Sequence, residues 1–127
     1  MTGNEIYSAS LDLLGLKGED GSERGDTADL RARALSLLNL LLAECSIIDC
    51  RIRRCEHSVL SVASLDETLP CSDIIASSAL PYGLASMLVS GEDEDLATSL
   101  LRLYYDARKQ AITFGIARRH PITEVYK

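Results

Sequence analysis

A run of apolar residues in the first half of the chain constrains the fold most strongly. Its members recur at steps of three and four residues: Leu30, Ala34, Leu37, Leu38, Leu41, Cys45 and Ile48. That spacing places them on one face of an α-helix. Leu35, Leu40 and Leu42 add apolar surface outside this face. The pattern therefore predicts a helix over residues 27–50 that is central to a bundle or meets neighbours on two sides.

The ends and the polar side of this helix are also predicted. Thr27 is placed to cap its N-terminus, because a threonine hydroxyl accepts from the first free backbone amides. The charged residues within it are expected to face solvent; they are Arg31, Arg33, Glu44 and Asp49.

A shorter helix is predicted before it. Thr2 or Asn4 can cap its start, and Gly15 can supply the left-handed residue that ends it. Residues 16–26 are polar and rich in glycine, which is typical of a loop.

Two further helices are predicted after it. Ser72 caps the third helix, which ends near Gly91. Pro81 lies inside that helix and lacks an amide hydrogen, so we expect a kink or a break into two pieces there. The acidic residues 92–95 open the fourth helix, where carboxylates oppose the positive end of the helix dipole.

Two segments lack a helical period. Residues 59–65 alternate loosely and are rich in Val, Leu and Ser, which favours a short strand, hairpin or extended segment between the second and third helices. Such a segment needs support from the helices or from another subunit. The C-terminal residues, which include Pro121, favour an extended arm. We predict an all-α bundle of about four helices over residues 1–113 and an extended arm over residues 114–127.

Composition narrows the classes of protein. The net charge of −6 argues against binding nucleic acid through a broad basic face. No stretch approaches the ~20 apolar residues that span a bilayer, so we expect no membrane association. The N-terminus resembles no secretion signal, which predicts a cytoplasmic origin and free thiols.

The sequence shows no pattern typical of catalysis, so we expect neither enzymatic activity nor a cofactor. The histidines, His57 and His120, lie in segments that look too irregular to hold a general base rigidly. No pair of cysteines has the Cys-x-x-Cys spacing of a zinc site; the four are Cys45, Cys50, Cys55 and Cys71. The carboxylates of residues 92–95 point in different directions on a helix, which disfavours a metal site.

The order of four motifs carries a resemblance. Residues 64–67 (SLDE) follow the long helix, and residues 81–85 (PYGLA) lie in the next one. An acidic turn at residues 91–95 (GEDED) then precedes residues 103–108 (LYYDAR). Across nearly the whole chain this order resembles the small head–tail connector, or adaptor, proteins encoded beside portal genes in tailed bacteriophages and prophages. The cluster of cysteines departs from that pattern.

The resemblance implies a structural virion protein made in the cytoplasm of a host bacterium. Its copies would form a ring, expected to be dodecameric, in the neck at the head–tail interface. The ring would bind the portal protein on one side and a stopper or tail-completion protein on the other. Genomic DNA would pass through the lumen without sequence-specific binding.

Three sets of residues are candidates for these contacts. The C-terminal arm is expected to dock on the portal or on a neighbouring subunit through Arg118, Arg119, Ile122, Val125 and Tyr126. Subunit contacts are expected at Arg51, Arg53, Arg54, Val59, Leu60, Val62 and Leu65, since arginine suits interfaces. An acidic lumen would repel DNA phosphates, and its candidates are Glu92, Asp93, Glu94 and Asp95.

Other interpretations remain open. The first is a small acidic helical regulatory or protein-interaction module of a bacterial cell, which would be monomeric or dimeric. A helix-turn-helix DNA-binding protein would need a basic recognition helix, which the predicted helices lack. An enzyme whose site is completed by a partner chain is the third alternative.

Overall fold

The computed structural model describes residues 1–17, 28–56 and 58–119, with side chains up to residue 114. The helices of these residues are α1 Gly3–Leu14, α2 Ala28–Arg53, α3 Asp73–Ser78, α4 Leu80–Val89 and α5 Glu94–Arg119. The same residues contain no strand, and Thr2 and Thr68 form an isolated antiparallel bridge. The prediction of an all-α bundle is confirmed.

The ends of α1 follow from its flanking residues. The Thr2 hydroxyl accepts a hydrogen bond from the Glu5 amide at 3.2 Å. At the other end Gly15 adopts the left-handed conformation, with φ of 69°, and its amide donates to the Asp12 carbonyl. Only glycine adopts this backbone conformation without steric cost, so both predicted ends of this helix are confirmed.

Pro81 separates α3 from α4, as the sequence predicts. Helix α3 ends at Ser78, and α4 begins at Leu80 with the proline in its first turn. A proline is tolerated there because the first amides of a helix have no intrahelical partner. The buried hydroxyl of Ser10 on α1 donates to the Pro81 carbonyl at 3.1 Å. This bond ties the α3–α4 junction to the first helix.

Helix α4 lies at the centre of the bundle and packs against α1, α2 and α5. A Cβ atom on Gly83 would lie 3.0 Å from Leu41 Cδ2 and 3.0 Å from Tyr104 Cδ1. The absence of a side chain at this position therefore lets α2 and α5 approach α4 closely. Leu41, Leu84 and Tyr104 are fully buried around it.

The connection between α2 and α3 is irregular and is attached to the bundle of its own chain. The Asn39 side chain on α2 donates to the Val62 carbonyl at 3.0 Å and accepts from the Val62 amide at 2.8 Å. These two bonds imitate the pairing that a neighbouring strand would supply. Leu60 and Val62 are buried, and the Asn4 amide donates to the Leu65 carbonyl at 2.8 Å.

The start of the predicted C-terminal arm is wrong, because α5 continues through residues 114–119. Gly115 does not end this helix: a single glycine costs a helix only about 1 kcal/mol relative to alanine, whereas a proline costs about 3 kcal/mol. Pro121 is the first proline after α5 begins. Residues 120–127 lie outside the described residues, as do the loop residues 18–27 and His57.

The substitution Asn39→Ala tests the attachment of this connection. We expect it to lower the free energy of unfolding by about 1–3 kcal/mol, because the Val62 amide and carbonyl lose their partner. Urea denaturation measures the change. Ser36→Ala, on the exposed side of the same helix, is the control and should change stability by less than about 0.5 kcal/mol. Equal stability of the two variants would contradict this role for Asn39.

Candidate functional site

The outward face of α2 carries an apolar stripe. Leu40, Ala43 and Ile47 are exposed and follow one another at steps of three and four residues. A helix turns by about 100° per residue, so the three share one side. The side chains of Leu40 and Ile47 are large and apolar, yet Leu40 is 59% exposed and Ile47 is 55% exposed. We call these three residues the α2 stripe.

The α2 stripe is a second periodic set, offset from the residues that face the core. The core set includes Leu38, Leu41 and Cys45, which are buried. The sequence prediction recognised Leu40 as apolar surface outside the core face, but it missed Ala43 and Ile47 as its companions. The signal that finds them is the repeat of the same three- and four-residue steps one residue out of phase.

Arginines lie near both ends of the α2 stripe. Arg33 precedes it and Arg51 and Arg54 follow it, and all three are exposed. The Arg33 guanidinium also donates to the Leu88 carbonyl at 3.4 Å. Of the arginines predicted to contact a neighbouring subunit, Arg51 and Arg54 therefore reach the surface beside apolar side chains.

Arg53, the third of these candidates, is engaged within the chain by Asp49. The guanidinium lies 2.8 Å from Asp49 Oδ2, while Asp49 Oδ1 accepts from the Ser72 amide at 2.6 Å. Asp49 is 1% exposed, so the prediction that it faces solvent is wrong. The carboxylate is buried because the residues after the connection fold back over the end of α2. It fixes the start of α3 there.

The remaining subunit-contact candidates divide between surface and core. Leu60 and Val62 are buried within their own chain, so their side chains are not available to a partner and these two assignments are corrected. Val59 is 69% exposed. Leu65 is half-buried against Gly3, where an added Cβ would meet its backbone at 2.9 Å.

The acidic candidates for the lumen are exposed at the start of α5. Asp93 Oδ1 accepts from the Leu96 amide at 3.0 Å, and Glu94 Oε1 accepts from the Gly91 amide at 3.1 Å. Two of the four carboxylates thus satisfy backbone donors at a helix start.

A polar cluster joins α2 to α5. The Cys45 thiol and the Tyr104 hydroxyl are hydrogen-bonded at 3.3 Å. The Arg108 guanidinium lies 2.6 Å from a Glu44 carboxylate oxygen and 5.3 Å from the centre of the Tyr104 ring. Burial raises the pKa of the Cys45 thiol and that of the Tyr104 hydroxyl. Both groups stay protonated at neutral pH, so the cluster holds the two helices together and supplies no nucleophile.

The other places where chemistry would be sought are sparse in reactive groups. All four cysteines are free thiols. Within residues 1–17, 28–56 and 58–119, no three His, Cys, Asp or Glu side chains are grouped so that they could hold a metal ion. A shallow groove between α1 and the α3–α4 junction is lined by Ala9, Asp12, Leu13, Ser77, Pro81 and Tyr82. The carboxylate of this groove is that of Asp12, which forms an ion pair with Lys17 at 3.0 Å.

Comparison with known proteins finds no match for this chain. The chain matches no protein-family model, no characterised protein and no solved structure. In the described part of the chain, every helix is too short or too polar to cross a membrane. The arm candidates Arg118 and Arg119 are at the end of α5, with side chains outside the described set, and Ile122, Val125 and Tyr126 lie beyond it.

The substitution Asp49→Ala tests the buried carboxylate. We expect it to lower the free energy of unfolding by about 2 kcal/mol, because the Ser72 amide loses a charged acceptor and Arg53 loses its partner. Asp49→Asn is the matched variant: it keeps an oxygen for the Ser72 amide and should cost less. Denaturant titration compares the two. Wild-type stability of Asp49→Ala would show that the carboxylate does not hold α3.

Stability should fall in alkaline solution. Burial, and next the nearby Asp49 carboxylate, raise the pKa of the Cys71 thiol from 9.0 to about 12. The unfolded chain loses this proton first, so the contribution of the thiol is complete below pH 9 and declines as the pH rises towards 12. Denaturant unfolding over a series of alkaline buffers measures the slope. Cys71→Ala should flatten it, and an unchanged slope in that variant would contradict the assignment.

Proposed function

We propose that this chain is a structural virion protein, a head–tail connector (adaptor) that forms a ring between the portal and the stopper or tail. The observation that carries the proposal is the α2 stripe. The inner face of α2 already completes a core, yet Leu40 and Ile47 present large apolar side chains to solvent. An apolar stripe exposed in this way supports a contact with another protein.

Three of the four motifs behind the resemblance lie together in the fold. Residues 81–85 form the first half of α4, and residues 103–108 lie in the middle of α5. They meet at Gly83, where an added Cβ would lie 3.0 Å from Tyr104 Cδ1. The acidic turn at residues 91–95 joins the two helices. Three of the motifs that support a connector therefore belong to one continuous structural unit, the α4–turn–α5 pair, and residues 64–67 lie in the connection between α2 and α3.

The negative charge of the chain suits a passage through which DNA slides better than a surface that binds DNA. The net charge is −6, and the acidic residues 92–95 are exposed. Carboxylates repel phosphates, so a surface lined with them allows a genome to slide instead of binding it. The proposed role is structural and needs neither a catalytic residue nor a cofactor.

A small acidic regulatory or protein-interaction module is the alternative. The complete core favours it in one respect, because a chain with a closed interior can exist as a monomer. The same α2 stripe would then bind a single partner. The two functions differ in one observable: a connector adds many copies to a ring-shaped portal, whereas a module binds its partner in a small fixed ratio.

Mixing the purified chain with the portal ring encoded by its genomic neighbour tests the connector. We expect the portal ring to gain one layer of density in negative-stain micrographs, with a matching increase in mass by light scattering. The paired substitution Ile122→Asp and Tyr126→Asp should abolish this layer, since the C-terminal residues are the proposed docking arm.

The portal-binding experiment has a folding control and a result that would contradict the proposal. Far-ultraviolet circular dichroism should show that the arm variant keeps the helical content of the wild type, because neither substitution falls in the helices α1 to α5. A wild-type chain that stays monomeric and leaves the portal ring unchanged would contradict the connector and favour the regulatory module.

A further inference from the structure

We infer that the α2 stripe of one copy packs antiparallel against the outer face of α5 in the next copy. This inference rests on the proposed function in one respect, namely that copies of the chain assemble. It adds which two faces meet and in which direction. The argument depends on the shape, the charge and the placement of exposed side chains on the two longest helices.

The outer face of α5 carries its own apolar positions. Leu103 is 46% exposed, and Leu96 is half-buried one heptad before it. Residues seven apart lie on nearly the same side of a helix. This side points away from α2 of the same chain, because Arg108, which reaches Glu44 on α2, lies well over a quarter-turn around α5 from Leu103.

Charge argues against a contact between two α2 stripes. In an antiparallel pair centred on Ala43, Arg33 of each copy would lie within about 3 Å, measured along the helix axis, of Arg51 of the other. In a parallel pair each arginine would face its own counterpart. Like charges held opposite one another disfavour association, so the partner of the α2 stripe should carry acidic residues near an apolar surface.

The start of α5 meets that requirement. Asp95 is exposed and directly precedes Leu96. When α2 and α5 run antiparallel, Arg51 near the end of α2 lies beside the Asp95 carboxylate. Each residue advances about 1.5 Å along a helix, so Ile47 lies about 6 Å from Arg51 and Ser99 lies about 6 Å from Asp95. Ile47 therefore falls opposite Ser99, between Leu96 and Leu103, when the charges pair.

The two faces belong to different helices and differ in composition, so the contact is heterologous. Each copy presents one α2 stripe and one α5 face, and a contact between unlike faces leaves one of each unused in a dimer. Such contacts continue until they close a ring or extend as a filament. A ring is the form that the proposed connector needs.

Two single substitutions test this pairing in the full-length chain. Ile47→Asp disables the α2 stripe, and Leu103→Asp disables the α5 face. Both positions are exposed, so circular dichroism should show wild-type folding. We expect each variant alone to be monomeric in sedimentation velocity at concentrations where the wild type assembles. An equimolar mixture should form a heterodimer and nothing larger, because each variant keeps the face that the other lacks.

A charge exchange tests the direction of packing. Arg51→Glu alone should weaken assembly relative to the wild type, and so should Asp95→Arg alone. The chain that carries both substitutions should regain much of the lost assembly, because the opposite charges are restored across the contact. Failure of the double variant to recover, with each single variant folded, would overturn the antiparallel arrangement.

Other outcomes of these experiments would identify other binding partners for the α2 stripe. If Leu103→Asp assembles like the wild type while Ile47→Asp does not, the α2 stripe meets something other than α5. If only the chain that carries both Ile122→Asp and Tyr126→Asp loses assembly, the C-terminal segment is the partner of the α2 stripe. A wild type that is monomeric at every concentration would overturn the inference. Heterodimers without portal binding would uphold the interface and contradict the connector.

Discussion

The close approach of three helices at Gly83 is the constraint on which the rest of the structure depends. A side chain at this position would press on both Leu41 and Tyr104. Because none is present, α2 and α5 both lie directly against α4, and the buried Tyr104 ring fills the space between them. The Cys45–Tyr104 hydrogen bond and the Arg108–Glu44 ion pair then hold α2 beside α5.

This packing determines which surfaces remain for a partner. The inner side of α2 is used by the core, and two of its polar side chains hold the residues that follow the helix. Asn39 holds the irregular connection through Val62, and Asp49 holds the start of α3 through Ser72. The outer side of α2 takes part in none of these contacts. Its apolar residues are therefore not needed to complete the core, which is why we assign them to assembly.

Local patterns predict the helices well but not the contacts between them. The cap at Thr2, the left-handed Gly15 and the break at Pro81 depend on the chemistry of a few adjacent residues, so they could be predicted. The burial of Asp49 depends on where Ser72 lies in space, and periodicity carries no such information. The same is true of Leu60 and Val62, whose alternation indicates an extended segment but not the surface that covers it.

The α2 stripe was within reach of sequence analysis, since Leu40, Ala43 and Ile47 repeat at helical steps. What the sequence left open was whether this second face would pack against another part of the chain or stay exposed. The most direct test is the chain with Leu40→Glu and Ile47→Glu, measured by thermal unfolding and sedimentation velocity on one sample. We predict unfolding at the wild-type temperature and loss of assembly. Assembly like that of the wild type, or a markedly lower unfolding temperature, would contradict the account.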